Sequence, residues 1–118
     1  MDRHEGRSFT DVAVSEAAAR RTHLDLILKA RAEDGRLHLT SRLLGQAPDG
    51  SLIIDVPRAR GRKVFVPAGA ELEMAFPVGR FLLQGPVKVI GHCQFRLHPT
   101  RRVDGLRVSL PSRLTPAD

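Results

Sequence analysis

Aromatic residues are scarce in this 118-residue chain: five Phe, no Trp and no Tyr. A core without large rings must be built from Leu, Val and Ile, and stacking chemistry is limited to a few positions. One cysteine, Cys93, excludes an intrachain disulfide framework and suits a reducing cytoplasm. Apolar runs of the ~18 residues needed for a membrane span are missing. The opening MDRHEGRSFTDVAVSEAAARR mixes charges of both signs and has no continuous apolar stretch, so it does not read as a secretory signal. A cytoplasmic location is expected. Recognisable catalytic spacing is missing too. Ser41, Ser51 and Ser109 have no G-x-S-x-G context, Cys93 has no flanking signature of a low-pKa thiolate, and no Walker A or G-x-G-x-x-G occurs. Asp49, Asp55, Glu71, Glu73 and Asp104 read as turn or outward-facing carboxylates. His92 and Cys93 are adjacent, so in a strand they point to opposite faces, and His23, His38 and His98 have no partner at ligand spacing. Neither metal binding nor enzymatic activity is expected.

What the chain does have is positive charge and alternation. Nineteen Lys and Arg against thirteen Asp and Glu leave a formal charge of +6. The first 34 residues hold six basic and seven acidic groups, so the remainder holds thirteen and six. The cationic part admits nucleic acid, an acidic protein, a phosphorylated ligand or a membrane surface as partner. Four of its cations, Arg58, Arg60, Arg62 and Lys63, fall within six residues, in RARGRK, and Arg101 and Arg102 form a second basic turn. These six are the candidate ligand or partner contacts.

Thr10 or Asp11 could cap a short helix through VAVSEAAARR. After Thr22 the hydrophobic period becomes two: Leu24, Leu26, Leu28 and Ala30 share one face, and after an Asp34-Gly35 turn Leu37, Leu39, Ser41 and Leu43 share another. APDG (residues 47–50) is a turn, SLIIDV a strand, RARGRK a mobile inter-strand loop and VFV (64–66) a short strand. Leu72, Met74 and Phe76 alternate in ELEMAF, and RFLLQG, VKVIGHCQFRLH and LRVSLP follow, with Gly85-Pro86 and Gly91 expected to bend or bulge the long segment. The fold class expected is all-β with one short N-terminal helix: a small split β-barrel of about seven or eight mostly antiparallel strands. Residues 1–21 would be tail and helix, 22–114 the barrel, and 115–118 a tail or truncated linker.

The order TSRLLG, GSLIIDVP, basic loop, VFVPAGAELEMAF, GRFLLQGPV and LRVSLP resembles the N-terminal domain of flagellar brake proteins of the YcgR type, over about four-fifths of the chain. That resemblance implies a split barrel ahead of a PilZ domain, the receptor for cyclic di-GMP, and thus a non-enzymatic regulatory module for flagellar motility. It implies as partners a PilZ domain in cis or in trans and flagellar motor proteins, and leaves homodimerisation open. PilZ ligand binding uses R-x-x-x-R and a later [DN]-x-S-x-x-G. Arg58 to Arg62 and Arg3 to Arg7 fit the first pattern, but neither is followed by the second, so cyclic di-GMP is expected only through a PilZ domain absent from this chain, and no cofactor is expected in the barrel itself. The alternative is a basic barrel that binds single-stranded nucleic acid. That mode needs aromatic platforms, and most of the Phe residues are expected in the core. A flavin enzyme is a third reading, with no flavin-phosphate site to support it.

Overall fold

In a computed structural model, residues 9–29 and 36–117 are described. Among these residues a helix, α1 (Phe9–Ala19), precedes nine strands: β1 (His23–Lys29), β2 (Arg36–Gln46), β3 (Leu52–Asp55), β4 (Arg58–Ala59), β5 (Arg62–Lys63), β6 (Glu71–Val78), β7 (Phe81–His98), β8 (Arg101–Val108) and β9 (Thr115–Pro116). The fold is mostly antiparallel β, and six strands close a barrel-like ring that is not evenly disposed about an axis. Round the ring the order is β1, β6, β7, β8, β3, β2 and back to β1.

The two long strands make closure workable. The first part of β2 pairs β1, from Arg36 to Arg42, and its last part pairs β3, with a register shift between Leu43 and Gly45. Likewise β7 pairs β6 through Lys88 and β8 from Val89 onward, with a shift between Val89 and Gly91. An extra residue in one strand bends it and increases its twist, so the bulges sit where each strand changes partner. The bend expected at Gly91 is found, whereas the register runs unbroken through Gly85 and Pro86. Gly85 serves another purpose: the carbonyl of Arg113 lies where its Cβ would be. Gly45 also admits a neighbour, the Phe95 ring, 2.8 Å from where a Cβ would stand.

Alternation places Leu24, Leu26, Leu39, Leu43, Leu72, Met74, Phe76, Leu106 and Val108 in the core, with Val14 and Ala17 of α1 packed against them. Leu37, by contrast, is exposed. Ser41 lies half-buried and donates to the Asp55 carbonyl at 2.7 Å.

Phe9 is already helical, so Thr10 and Asp11 lie inside the described helix and neither is its N-cap. At its other end Thr22 N–H donates to the Ala17 carbonyl and Arg21 N–H to that of Ala18, each at 3.1 Å, with Arg21 at φ 51°. This is a Schellman ending with arginine where glycine is usual. VFV is no strand, and residues 115–116, expected as tail, pair with β7 as β9. The expected Asp34-Gly35 turn lies outside the described residues. No described helix is long and apolar enough to cross a membrane.

Candidate functional site

RARGRK is a β-hairpin and not a mobile loop. Arg58 faces Lys63 and Ala59 faces Arg62 across a two-residue turn whose central residues, Arg60 and Gly61, have φ of 52° and 81°. Positive φ at both positions is the type I′ geometry, whose twist matches that of the strands it joins. The hairpin is fastened at its base. Thr40 of β2 pairs with Arg58, Val64 N–H donates to the Pro57 carbonyl at 2.9 Å, and Arg58 Nη1 donates to the Gly61 carbonyl at 3.2 Å.

The second basic turn is the tip of another hairpin, β7 to β8. Arg101 pairs with His98 and Arg102 with Arg96. The two hairpins converge: Asp55, Arg58, Lys63, Arg101, Arg102 and Asp104 border one concavity of about 380 Å³. Four of the six candidate residues therefore meet. Arg60 at its turn and Arg62 on the opposite face of the hairpin do not border it.

Like charges directly across a strand pair repel. Arg58 against Lys63 and Arg96 against Arg102 are two such pairs. Among the described residues, ion pairs form at Arg20 with Glu16 and at Arg107 with Asp49, and none involves the four cations of the concavity. Their charge is offset only in part by Asp55, whose Oδ1 accepts from Val56 N–H at 2.8 Å, and by Asp104.

Beside the concavity, sharing Lys63 and Asp104 with it, lies a second hollow of about 400 Å³ bordered by Val56, Val64, Phe65, His92, Cys93 and Gly105. Phe65 is 73% exposed. The His92 ring stacks on it at 5.0 Å between centroids and 6° between planes, and His92 Nε2 lies 3.2 Å from the Val66 carbonyl, which fixes Nε2 as the donor. One face of Phe65 is thus covered by a tethered ring. His92 and Cys93, expected on opposite faces, both border this hollow. Burial pushes the Cys93 thiol up, with nearby Arg107 opposing, so it is held as a thiol.

The expectation that most Phe residues serve the core is overturned: Phe76 is buried, while Phe65 and Phe81 stand out from the surface. In the strandless segment 64–66, Val66 is fully buried while its neighbour Phe65 stands outward.

A third polar cluster braces the barrel. Asp49 accepts from Ser51 Oγ at 2.6 Å, from Ser51 N–H at 2.9 Å and from Arg107 Nη2 at 2.7 Å. These bonds, led by the Ser51 hydroxyl, hold the Asp49 carboxyl below its usual range. Arg107 Nε also donates to Ser51 Oγ at 3.2 Å, which ties β8 to the turn before β3. Among the described residues no group of three His, Cys, Asp or Glu is placed to hold a metal.

No family model, curated protein or solved structure matches the chain.

Proposed function

We propose that this protein is a non-enzymatic docking module, of the kind the YcgR resemblance implies, which couples cyclic di-GMP signalling to flagellar motility by binding a PilZ domain or a motor protein. One observation carries the reading: two separate basic hairpins turn Arg58, Lys63, Arg101 and Arg102 into one concavity, with an exposed phenylalanine next to it. Interfaces combine an apolar or aromatic anchor with a charged rim, and complementary charge speeds encounter and fixes register. In this reading the cyclic dinucleotide is bound by the PilZ partner and not by the barrel.

The test is capture of a purified PilZ domain supplied in trans, with the wild-type chain and with Arg58→Glu/Arg102→Glu. Both side chains are exposed and each faces a like charge across its hairpin, so charge reversal is expected to abolish capture without lowering the melting temperature. Capture that survives the reversal removes the concavity as the docking surface. Titration of the isolated chain with cyclic di-GMP is expected to show no saturable heat.

A second reading, binding of single-stranded nucleic acid, gains support from the exposure of Phe65. It requires affinity for an oligonucleotide that falls steeply with salt as counterions are released.

A further inference from the structure

We infer that the segment recognised at this surface is an extended acidic peptide carrying one aromatic side chain, which lays its ring on the open face of Phe65 and its carboxylates in the neighbouring concavity. The inference rests on the docking reading and specifies the chemistry of the partner. The anchor is pre-organised: Phe65 is backed by His92 at 5.0 Å, and His92 is itself held by the Val66 carbonyl. Little motion is therefore lost when a third ring stacks on the pair, and offset or edge contacts between rings favour such an anchor.

Charge then selects the partner. Arg58, Lys63, Arg101 and Arg102 form no ion pair with a described carboxylate, and Arg58 and Lys63 repel each other across the hairpin. A carboxylate between them relieves that repulsion and accepts from guanidinium forks suited to it. Three features favour a peptide over a nucleic-acid strand. Asp55 and Asp104 also border the concavity, where their oxygens suit the N–H groups of a peptide backbone, donors that a sugar-phosphate backbone lacks. The two stacked rings leave one open platform, while a strand uses successive ones. Finally, β5 ends the order of paired strands among the described residues, so its outer edge can pair with an extended chain beside the concavity.

The probe is a short fluorescein-labelled peptide of alternating Glu and Gly with one central Trp, followed by fluorescence anisotropy. Saturable binding is expected. Phe65→Ala in the protein, or Ala for Trp in the peptide, should weaken it by roughly 2- to 12-fold, the contribution of a ring pair beyond its buried area. Arg58→Glu/Arg102→Glu should abolish it. Phe65 is exposed, so an unchanged melting temperature separates lost contact from lost fold. The inference is overturned by no saturable binding, by binding indifferent to Phe65→Ala, by equal binding of the peptide with Lys for Glu, or by tighter binding of an oligo-dT of similar length. If the peptide fails while PilZ capture still depends on Arg58 and Arg102, this partner chemistry is wrong and the docking reading stands. Peptide binding together with PilZ capture that Arg58→Glu/Arg102→Glu leaves unaltered supports this partner chemistry and removes the concavity as the PilZ docking surface.

Discussion

Gly85→Ala should release the end of the chain from the barrel. The carbonyl of Arg113 occupies the place of the new methyl, and Pro111 Cβ and Leu114 Cδ2 lie 3.1 Å from it. Backbone cannot swing aside as a side-chain tip can, so residues 113–117 must lift away from β7. That motion breaks the pairing of Leu83 with Pro116 and of Gln84 with Thr115, together with the 2.8 Å bond from Ala117 N–H to the Leu82 carbonyl. At about 1 kcal/mol for each of about three backbone hydrogen bonds, and about 1 kcal/mol more for newly wetted Leu83 and Leu114, the loss is about 3 to 4 kcal/mol. For a domain near 100 residues this corresponds to a fall in melting temperature of about 15 °C or more. Thermal melts should be run in two backgrounds, the full chain and a chain ending at Ser112, which lacks the obstructing carbonyl. In the shorter chain the substitution should change stability by no more than about 1 kcal/mol, because only the Pro111 contact remains. An equal loss in both backgrounds, or a full-length variant that melts within about 2 °C of wild type, would refute the account of Gly85.

Arg21 holds a left-handed conformation that costs a side-chain-bearing residue roughly 1 to 2 kcal/mol; Arg21→Gly should therefore raise the free energy of unfolding by about 1 kcal/mol, seen as a higher denaturation midpoint at unchanged slope, and a lowered midpoint would count against the Schellman ending. Asp49 is held ionised by Ser51 and Arg107, so its folded-state pKa lies below its unfolded one. It contributes stability above the ordinary carboxylate value of about 3.9, and that contribution disappears as pH falls through the lowered folded value. Melts from about pH 2 to pH 6 should show Asp49→Asn less stable than wild type at the upper end and the gap closing in acid; a gap independent of pH would exclude the linkage.

Much of the barrel was legible because alternation is a local property. Leu72, Met74 and Phe76 read as one buried face from spacing alone, and all three are in the core. A barrel was expected, but which strands close it was not legible, because β1 pairs with β6 about 45 residues away, and contacts that distant in sequence leave no short-range mark. The hairpin within RARGRK was missed for a chemical reason: type I′ turns are usually marked by Asn-Gly or Asp-Gly, and here Arg60 takes the first positive φ. Similarly, β9 contains Pro116 and depends on the missing side chain of Gly85, so neither composition nor period announces it. Of the candidate site, the cations were visible as a cluster, but their convergence with Arg101 and Arg102 follows from the path of β7 and β8 through the ring. The exposure of Phe65 was not legible, because residues 64–66 form no strand and follow no strand period.

The bent strand β7 has a mechanical consequence. It carries the docked end of the chain at Leu83 and Gln84, turns its corner near Ile90, presents His92 to the stacked pair and finishes at His98 opposite Arg101. One unbroken run of peptide bonds thus works as a bell crank between the C-terminal segment and the cationic concavity. A pull on that segment reaches the concavity through covalent backbone and a ladder of hydrogen bonds, with no loop between them to absorb the displacement.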